Sequence, residues 1–351
     1  MRDQWLTRPK ILVIKGDGIG PEVIGASLQV LEELGFDAEW IFREAGYEYY
    51  VRTGKPYQDD LLDIAAEVDA IYKGPIETPK AGGYKSVTVT LRRELDLYAN
   101  IRPFKSYPRV ALNPNVDIVI VRENTEGLYI QAEVMLGKGQ AVALRLATRK
   151  AAERIARKAF ELALELGKKK VTLVHKANIL KVTDGIYLEE FYKVAQMYKG
   201  VIEADDVIVD AAGYYLVRNP SRFQVIVTAN LYGDILSDVA AGVAGTMGLF
   251  GSANVGDEKA MFEPVHGTAQ DIAGKGIANP TAALSAAIMM LRWLSARGYG
   301  RKLARMADVL EKAIYDVIRE GKVLTPDLGG NAKTIEFAEH VAKKALEYMG
   351  D

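Results

Sequence analysis

The chain has 351 residues, with 45 Lys and Arg against 46 Asp and Glu, a net charge of −1 and no Cys. That length holds two domains or one large α/β body. The balanced charge leaves no global basic field for nucleic acid or an acidic membrane, and without Cys neither a disulfide nor a thiolate metal site can form. Residues 1–9 show no signal-peptide core, and no apolar run approaches the roughly 20 residues that span a bilayer. The expectation is a soluble cytoplasmic protein without nucleic-acid or membrane partners.

Lys10–Ile14 reads as a strand, followed by the turn Gly16-Asp17-Gly18-Ile19-Gly20-Pro21-Glu22. Pro21 suits the first position of a helix whose apolar face is Val23, Ile24, Leu28, Leu31 and Leu34. Strand, glycine-rich turn and helix look like a dinucleotide fingerprint, but Pro21 stands where G-x-G-x-x-G requires its third Gly, so no Rossmann site is assigned. A strand is expected over 70–74, then a Pro-, Gly- and Thr-rich loop over 75–83. The stretch 84–103 carries Ser86, Thr88, Arg92 and Arg102, and a strand over 117–121 runs into Arg122, seven residues before Tyr129. Arg forks bind carboxylates bidentately, so three of them beside a Tyr suggest a polyanion site; for any one of them the competing reading is an exposed Arg on a helix.

The periodicity of 149–166 predicts one long amphipathic helix with Ile155, Ala159, Leu162 and Leu166 inward. Lys170–His175 is a strand with Lys176 and Asn178 at its exit, and a strand over 207–210 ends in Asp210. The apolar run 223–228 is a buried strand, broken by Gly233, with Asp234 opening a helix. Ligands gather at the carboxyl edge of such strands, so Lys176, Asp210, Asp234 and Asp238 form a candidate metal and acid–base cluster. Asp234 and Asp238 are four residues apart, so their carboxylates leave one helical face and repel unless a cation lies between them. Hard oxygen donors suit Mg²⁺ or Mn²⁺. The bland alternatives are an acidic first turn that suits the helix dipole, and a surface Lys. Residues 242–256, with Ser252 and Asn254, and the run from Glu263 to Thr281 are rich in small residues without a period, which suggests loops whose backbone approaches a ligand. A buried helix is expected over 281–295, then a loop over 324–334 with Thr334 as N-cap of the last helix.

Together the 16–22 turn, Arg92, Arg102, Arg122, Tyr129, Lys176-Ala-Asn178, Asp210, Asn230-x-x-Gly-Asp234-x-x-x-Asp238 and the loop over 263–280 resemble the β-decarboxylating dehydrogenases. These are the isocitrate, homoisocitrate, 3-isopropylmalate and tartrate dehydrogenases, and the resemblance runs in order through nearly the whole chain. It implies an α/β subunit of two domains with a non-Rossmann cofactor site. Residues 1–99 and 248–351 would form the large cofactor domain, and 100–247 the small domain with the dimer contact and the metal carboxylates. It further implies a homodimer with shared active sites, or a tetramer.

The resemblance also implies roles. Arg92, Arg102 and Arg122 would clamp the carboxylates of a 2-hydroxy acid, with Ser86, Thr88, Tyr129, Lys176 and Asn178 completing the substrate site. Asp210, Asp234 and Asp238 would hold Mg²⁺ or Mn²⁺. Lys176, with Asp210, would take the hydroxyl proton from the partner subunit, and Tyr129 would protonate the carbon that loses CO₂. Ile14, Glu263, His266, Gly267, Thr268, Ala269, Asp271, Ile272 and Asn279 would bind the cofactor, and Asp271 would make it NAD, since its charge repels a 2′-phosphate. Ser86 matches the Ser of the Ser-x-Asn in isocitrate enzymes, whereas Thr88 replaces the Asn. Both offer hydroxyls, so isocitrate, giving 2-oxoglutarate, is expected first, homoisocitrate next and 3-isopropylmalate last. Outside this chemistry stand a regulatory, non-catalytic subunit, which would lack part of the catalytic set, and a Mg²⁺-dependent phosphate hydrolase.

Overall fold

The computed structural model describes residues 8–79 and 83–350. Residues 1–7, residues 80–82 of the loop expected over 75–83, and Asp351 lie outside the described residues. β1 (Lys10–Ile14) and β2 (Glu39–Phe42) flank α1 (Gly20–Glu33), which has Pro21 in its first turn. α2 (Tyr47–Thr53) and α3 (Leu61–Glu67) lead into β3 (Ala70–Lys73), and α4 (Val87–Glu94) into β4 (Ala99–Lys105) and β5 (Asp117–Glu123). β6 (Glu133–Gly137) and β7 (Gln140–Ala143) form a separate hairpin. Strands and helices then alternate through α5 (Arg149–Glu165), β8 (Lys170–His175), α6 (Thr183–Gln196), β9 (Glu203–Ile208), α7 (Val209–Arg218), β10 (Val225–Thr228) and α8 (Asn230–Ala244). β11 (Gly251–Val255) and β12 (Ala260–Pro264) precede α9 (Thr281–Leu294), α10 (Arg301–Glu320) and α11 (Thr334–Gly350). Among the described residues no helix is long and apolar enough to cross a membrane.

Ten strands make one sheet in the order β2-β1-β3-β12-β11-β4-β5-β10-β8-β9. The first four are parallel and come from both ends of the chain; the last four are parallel and come from its middle. β11 and β4 join these halves and run antiparallel to each other and to their outer neighbours. Both faces of the sheet are covered, as parallel strands require. On β1 the alternation shows it directly. Ile11 and Val13 enter the larger core with the face of α1, while Leu12 and Ile14 enter a second core with Leu61 of α3 and Leu91 of α4.

Several expectations shift. The helix expected at Asp234 begins at Asn230, so Gly233 lies inside α8 rather than ending a strand. Its lack of a side chain is spatial: a Cβ there would sit 2.6 Å from Cγ of Arg122. The small residues of 242–256 are not a ligand loop but the end of α8 and the strand β11, where a Cβ on Gly251 would come within 2.3 Å of the Ala286 backbone nitrogen of α9. β9 stops at Ile208, which puts Asp210 in the first turn of α7. Leu166 falls at the end of α5 and is half exposed. Thr334 is already helical, and its hydroxyl donates to the Ala278 carbonyl at 2.7 Å instead of capping.

Candidate active site

Side chains two apart on a strand, and direct partners on neighbouring strands, share one face of the sheet. Lys73 therefore shares a face with Ile71, whose partner is Met261, and with Glu263 two residues on. Glu263 opposes Ser252, Asn254 opposes Asn100, and Asn100 opposes Arg122, with Arg102 two residues from Asn100. A polar stripe thus crosses β3, β12, β11, β4 and β5 where apolar side chains would ordinarily fill a covered face. It lies at the seam between the two halves, beside the carboxyl ends of their parallel strands, where open α/β sheets place their ligands.

The stripe floors a cleft of about 220 Å³ whose lining includes Ser86, Thr88, Arg92, Arg102, Arg122, Tyr129, Asp234, Glu263, His266 and Gly267. Arg92 is on α4 but buried, so the exposed-helix reading fails for it; Arg102 and Arg122 are buried on β4 and β5. Arg122 donates through Nε and Nη2 to Asn230 Oδ1 at 3.0 and 2.7 Å, and through Nη1 to Asp234. Arg102 reaches the same carboxylate at 3.4 Å, and its Nε is buried with no acceptor among the described residues. Burial, and then the Arg102 charge, lowers the Arg122 pKa, and burial lowers that of Arg102, with Asp234 opposing both shifts. Burial alone would raise the Asp234 pKa; the charges of Arg122 and Arg102 and a 2.6 Å hydrogen bond from the Tyr129 hydroxyl bring it below the usual carboxylate range. Tyr129 itself is shifted up, mainly by burial. Asp238, four residues on along α8, is pushed up by burial and then by the Asp234 charge.

Below the Arg cluster lies a buried network that the sequence did not announce. Lys73 is buried and pairs with Glu263 at 2.6 Å. Arg92 Nη2 donates to the other Glu263 oxygen at 3.0 Å, and Arg92 Nε to Asn254 Oδ1 at 2.9 Å. Asn254 Oδ1 also accepts from Asn100 and Asn124, while its Nδ2 donates to Glu263 at 2.8 Å. Burial would raise the Glu263 pKa, but the Lys73 and Arg92 charges overcome it and pull it well below the usual range. Lys73 was missed because a Lys ending a short apolar strand looks like a solvated edge. The signal available was a Lys followed at once by Gly74, where β3 has ended, and by Pro75, which lines the cleft.

Ser86 is the N-cap of α4, its Oγ accepting the Val89 N–H at 3.3 Å, and Thr88 sits in the first turn of that helix. Among the described residues the Ser86 hydroxyl donates to no acceptor. The proposed cofactor residues divide. His266, Gly267, Thr268, Ala269, Asp271 and Ile272 fall in the irregular chain between β12 and α9. Burial lowers the His266 pKa, and Asp271 is exposed. The glycines of the 16–22 turn pack on this loop: Ile19 N–H donates to the Thr268 carbonyl at 2.9 Å, and a Cβ on Gly18 would fall 2.1 Å from that oxygen. Ile14 is a correction. Its side chain is sealed in the core and its carbonyl accepts the Gly74 N–H, so Ile19 is the isoleucine that meets the loop. Asn279 is buried, with its amide spent on Asp327 and its carbonyl on the Thr281 N–H, so it holds chain rather than facing open space.

Lys176 and Asp210 do not line this cleft. They pair with each other on the surface, and Asn178 is exposed beside them. Exposed apolar side chains lie near them in the chain: Ile179 and Val182 follow Lys176, and Tyr214 and Val217 follow Asp210 on α7. Among the described residues no three carboxylates or imidazoles gather as a complete metal site. Asp234 lines the cleft, and Asp238 follows it one turn along α8.

The model of the isocitrate/isopropylmalate dehydrogenase family matches residues 10–341. The 3-isopropylmalate/3-methylmalate dehydrogenase of Methanocaldococcus jannaschii is 50% identical over 343 residues, covering 96% of this chain and 99% of that protein. The isocitrate/homoisocitrate dehydrogenase of Thermus thermophilus is 46% identical, with coverages of 95% and 98%. The crystal structure of isocitrate dehydrogenase from Methylococcus capsulatus superposes with a TM-score of 0.90 at 44% identity, over 96% of this chain and 99% of that one.

Proposed function

Because the chain belongs to the isocitrate/isopropylmalate dehydrogenase family, we propose that it is an NAD-dependent, Mg²⁺- or Mn²⁺-dependent enzyme that oxidises and decarboxylates a 2-hydroxy acid carrying a carboxylate on the neighbouring carbon, with isocitrate as its best substrate. One observation carries the reading. Among the described residues the cleft lining holds Lys73, Arg92, Arg102 and Arg122 against two carboxylates, Asp234 and Glu263, with Asp238 one turn further along α8. The excess positive charge is buried, and burial depresses the pKa of Arg102 and Arg122, so a polyanionic substrate relieves a standing cost. The free Nε of Arg102 offers a donor to such a ligand.

Asp234 and Asp238 fit a divalent ion, since burial and then the Asp234 charge raise the Asp238 pKa and a cation beside both carboxylates would offset that cost. Bound metal would polarise the substrate hydroxyl and the oxygens beside it, and bound nicotinamide would accept the hydride. The three Arg orient the carboxylates. Tyr129 holds its proton, since its pKa is raised, and would deliver it to the carbon that loses CO₂. Lys176, with Asp210, would take the hydroxyl proton from the partner subunit. The exposed apolar surface around that pair supports a homodimer, as does the β6–β7 hairpin, which is exposed throughout and would be marginal alone. The two halves of the sheet are read as the two domains, 1–99 with 248–351 and 100–247.

For the substrate, the hydroxyls of Ser86 and Thr88 stand at the start of α4, where unpaired helix N–H groups favour an anion. That supports a third carboxylate over an alkyl group. A 3-isopropylmalate reading is favoured by the name of the Methanocaldococcus jannaschii relative and by Ile76 and Val89 in the same lining. Asp271 supports NAD⁺ over NADP⁺, by two orders of magnitude or so in kcat/KM. Initial rates with isocitrate and Mg²⁺ test this: NAD⁺ reduction abolished by EDTA is expected, and a preference for NADP⁺ or indifference to chelation contradicts it.

A further inference from the structure

The loop between β12 and α9 is long and irregular, yet it must present Asp271 in one place. Its own hydrogen bonds are few: Ile272 N–H donates to the Ala269 carbonyl and Lys275 N–H to the Ile272 carbonyl. Its first limb is held by the 16–22 turn through Thr268. Its second limb is held by the Thr334 N–H, which donates to the Gly276 carbonyl at 3.0 Å, and by a side chain that no role above uses. Glu22, in the first turn of α1, accepts the Ala278 N–H through Oε1 at 2.8 Å and the Gly276 N–H through Oε2 at 3.2 Å. The Thr334 hydroxyl, at the start of α11, is shared between Glu22 and the Ala278 carbonyl.

We propose that Glu22 is a positioning residue for the dinucleotide: its carboxylate pins the second limb of the loop so that Asp271 meets the adenosine ribose. This rests on the reading that the loop binds NAD. A carboxylate is the side chain for this task because each oxygen accepts one amide, whereas Gln offers a single acceptor oxygen and turns a donor toward an N–H. Glu22 sits at the loop's anchor, away from the Arg cluster, so its loss bears on the cofactor and not on the hydroxy acid.

The test is Glu22→Ala and Glu22→Gln, each assayed for KM of NAD⁺, KM of the hydroxy acid and kcat, with direct titration of NADH. Glu22→Ala should raise KM for NAD⁺ and weaken NADH binding about tenfold, with Glu22→Gln in between. KM for the hydroxy acid and kcat at saturating NAD⁺ should stay within about threefold. Hydrogen exchange at Gly276 and Ala278 should quicken in Glu22→Ala. If Glu22→Ala fails to fold, the near-isosteric Thr334→Val should shift KM for NAD⁺ the same way by a smaller factor. Should the native protein bind no NADH, the functional reading itself fails. If it binds NADH and the Glu22 variants, or Thr334→Val in their place, bind it equally well, or lose hydroxy-acid affinity in step, the positioning role is overturned alone.

Discussion

Glu263 shows how charge decides the site at the scale of one residue. Its carboxylate is buried, and the Lys73 and Arg92 charges keep it ionised. Because its folded pKa lies below its unfolded value, its stabilisation is complete above about pH 4.5 and is lost as pH falls below that value toward the folded pKa. Glu263→Gln leaves Lys73 buried without its counter-charge, which costs about 3–5 kcal/mol near neutrality. Thermal unfolding of native protein and variant should therefore diverge most at pH 7 and converge as the pH drops below about 4.5; curves that stay parallel across that range contradict the assignment. At this scale the sequence was legible where the chemistry is unusual. Three Arg and a Tyr announced an anion site, and the structure brings them together. Lys73, Asn100 and Asn254 were not legible, because a polar residue inside a strand carries no local sign of which face it joins. That is settled by partners up to 190 residues away in the chain, as Glu263 is from Lys73.

At the scale of an element, α8 shows what local pattern misses. Gly233 looked like a break because Gly in a helix interior costs about 1 kcal/mol relative to Ala. The reason for it is non-local: the stem of Arg122 crosses α8 where a Cβ would stand, 2.7 Å from Cβ and 2.6 Å from Cγ of the Arg. Gly233→Ala gains helix propensity of roughly 1 kcal/mol but overpacks against a side chain fixed at its guanidinium, at about 1–3 kcal/mol. The clash should win, lowering Tm and raising KM for the hydroxy acid as Arg122 is displaced. A variant more stable than the native protein would show that Arg122 is free to move. α4 was half legible in the same way. Ser86 was read as a substrate residue, and the structure adds that it caps the helix, so Ser86→Leu loses about 1 kcal/mol of capping along with any contact to substrate.

At the scale of the whole molecule, the order of motifs along the chain identified an α/β fold in advance, and the sheet adds why the site lies at the seam. Two parallel halves meet there through antiparallel strands, and the polar stripe follows the join. The Lys176–Asp210 pair stands outside the cleft of its own chain; the residue pattern alone does not show this, since intra- and intersubunit contacts leave the same residues, and only the family resemblance assigns the pair to a partner subunit. Lys176→Met and Asp234→Asn should each inactivate the enzyme. Co-expressed, they should restore roughly a quarter of native activity, because each mixed dimer holds one intact composite site; no recovery would place the whole site within one subunit. On the proposed function, the dehydrogenase reads a carboxylate of its substrate at the start of α4. The most direct measurement is kcat/KM for isocitrate, homoisocitrate and 3-isopropylmalate with NAD⁺ and Mg²⁺, on the native protein and on Ser86→Leu. Isocitrate should come first, homoisocitrate within about 10–200-fold for its one extra methylene and 3-isopropylmalate last, and Ser86→Leu should lose isocitrate turnover selectively. A native preference for 3-isopropylmalate, or isocitrate turnover untouched by Ser86→Leu, would contradict this reading.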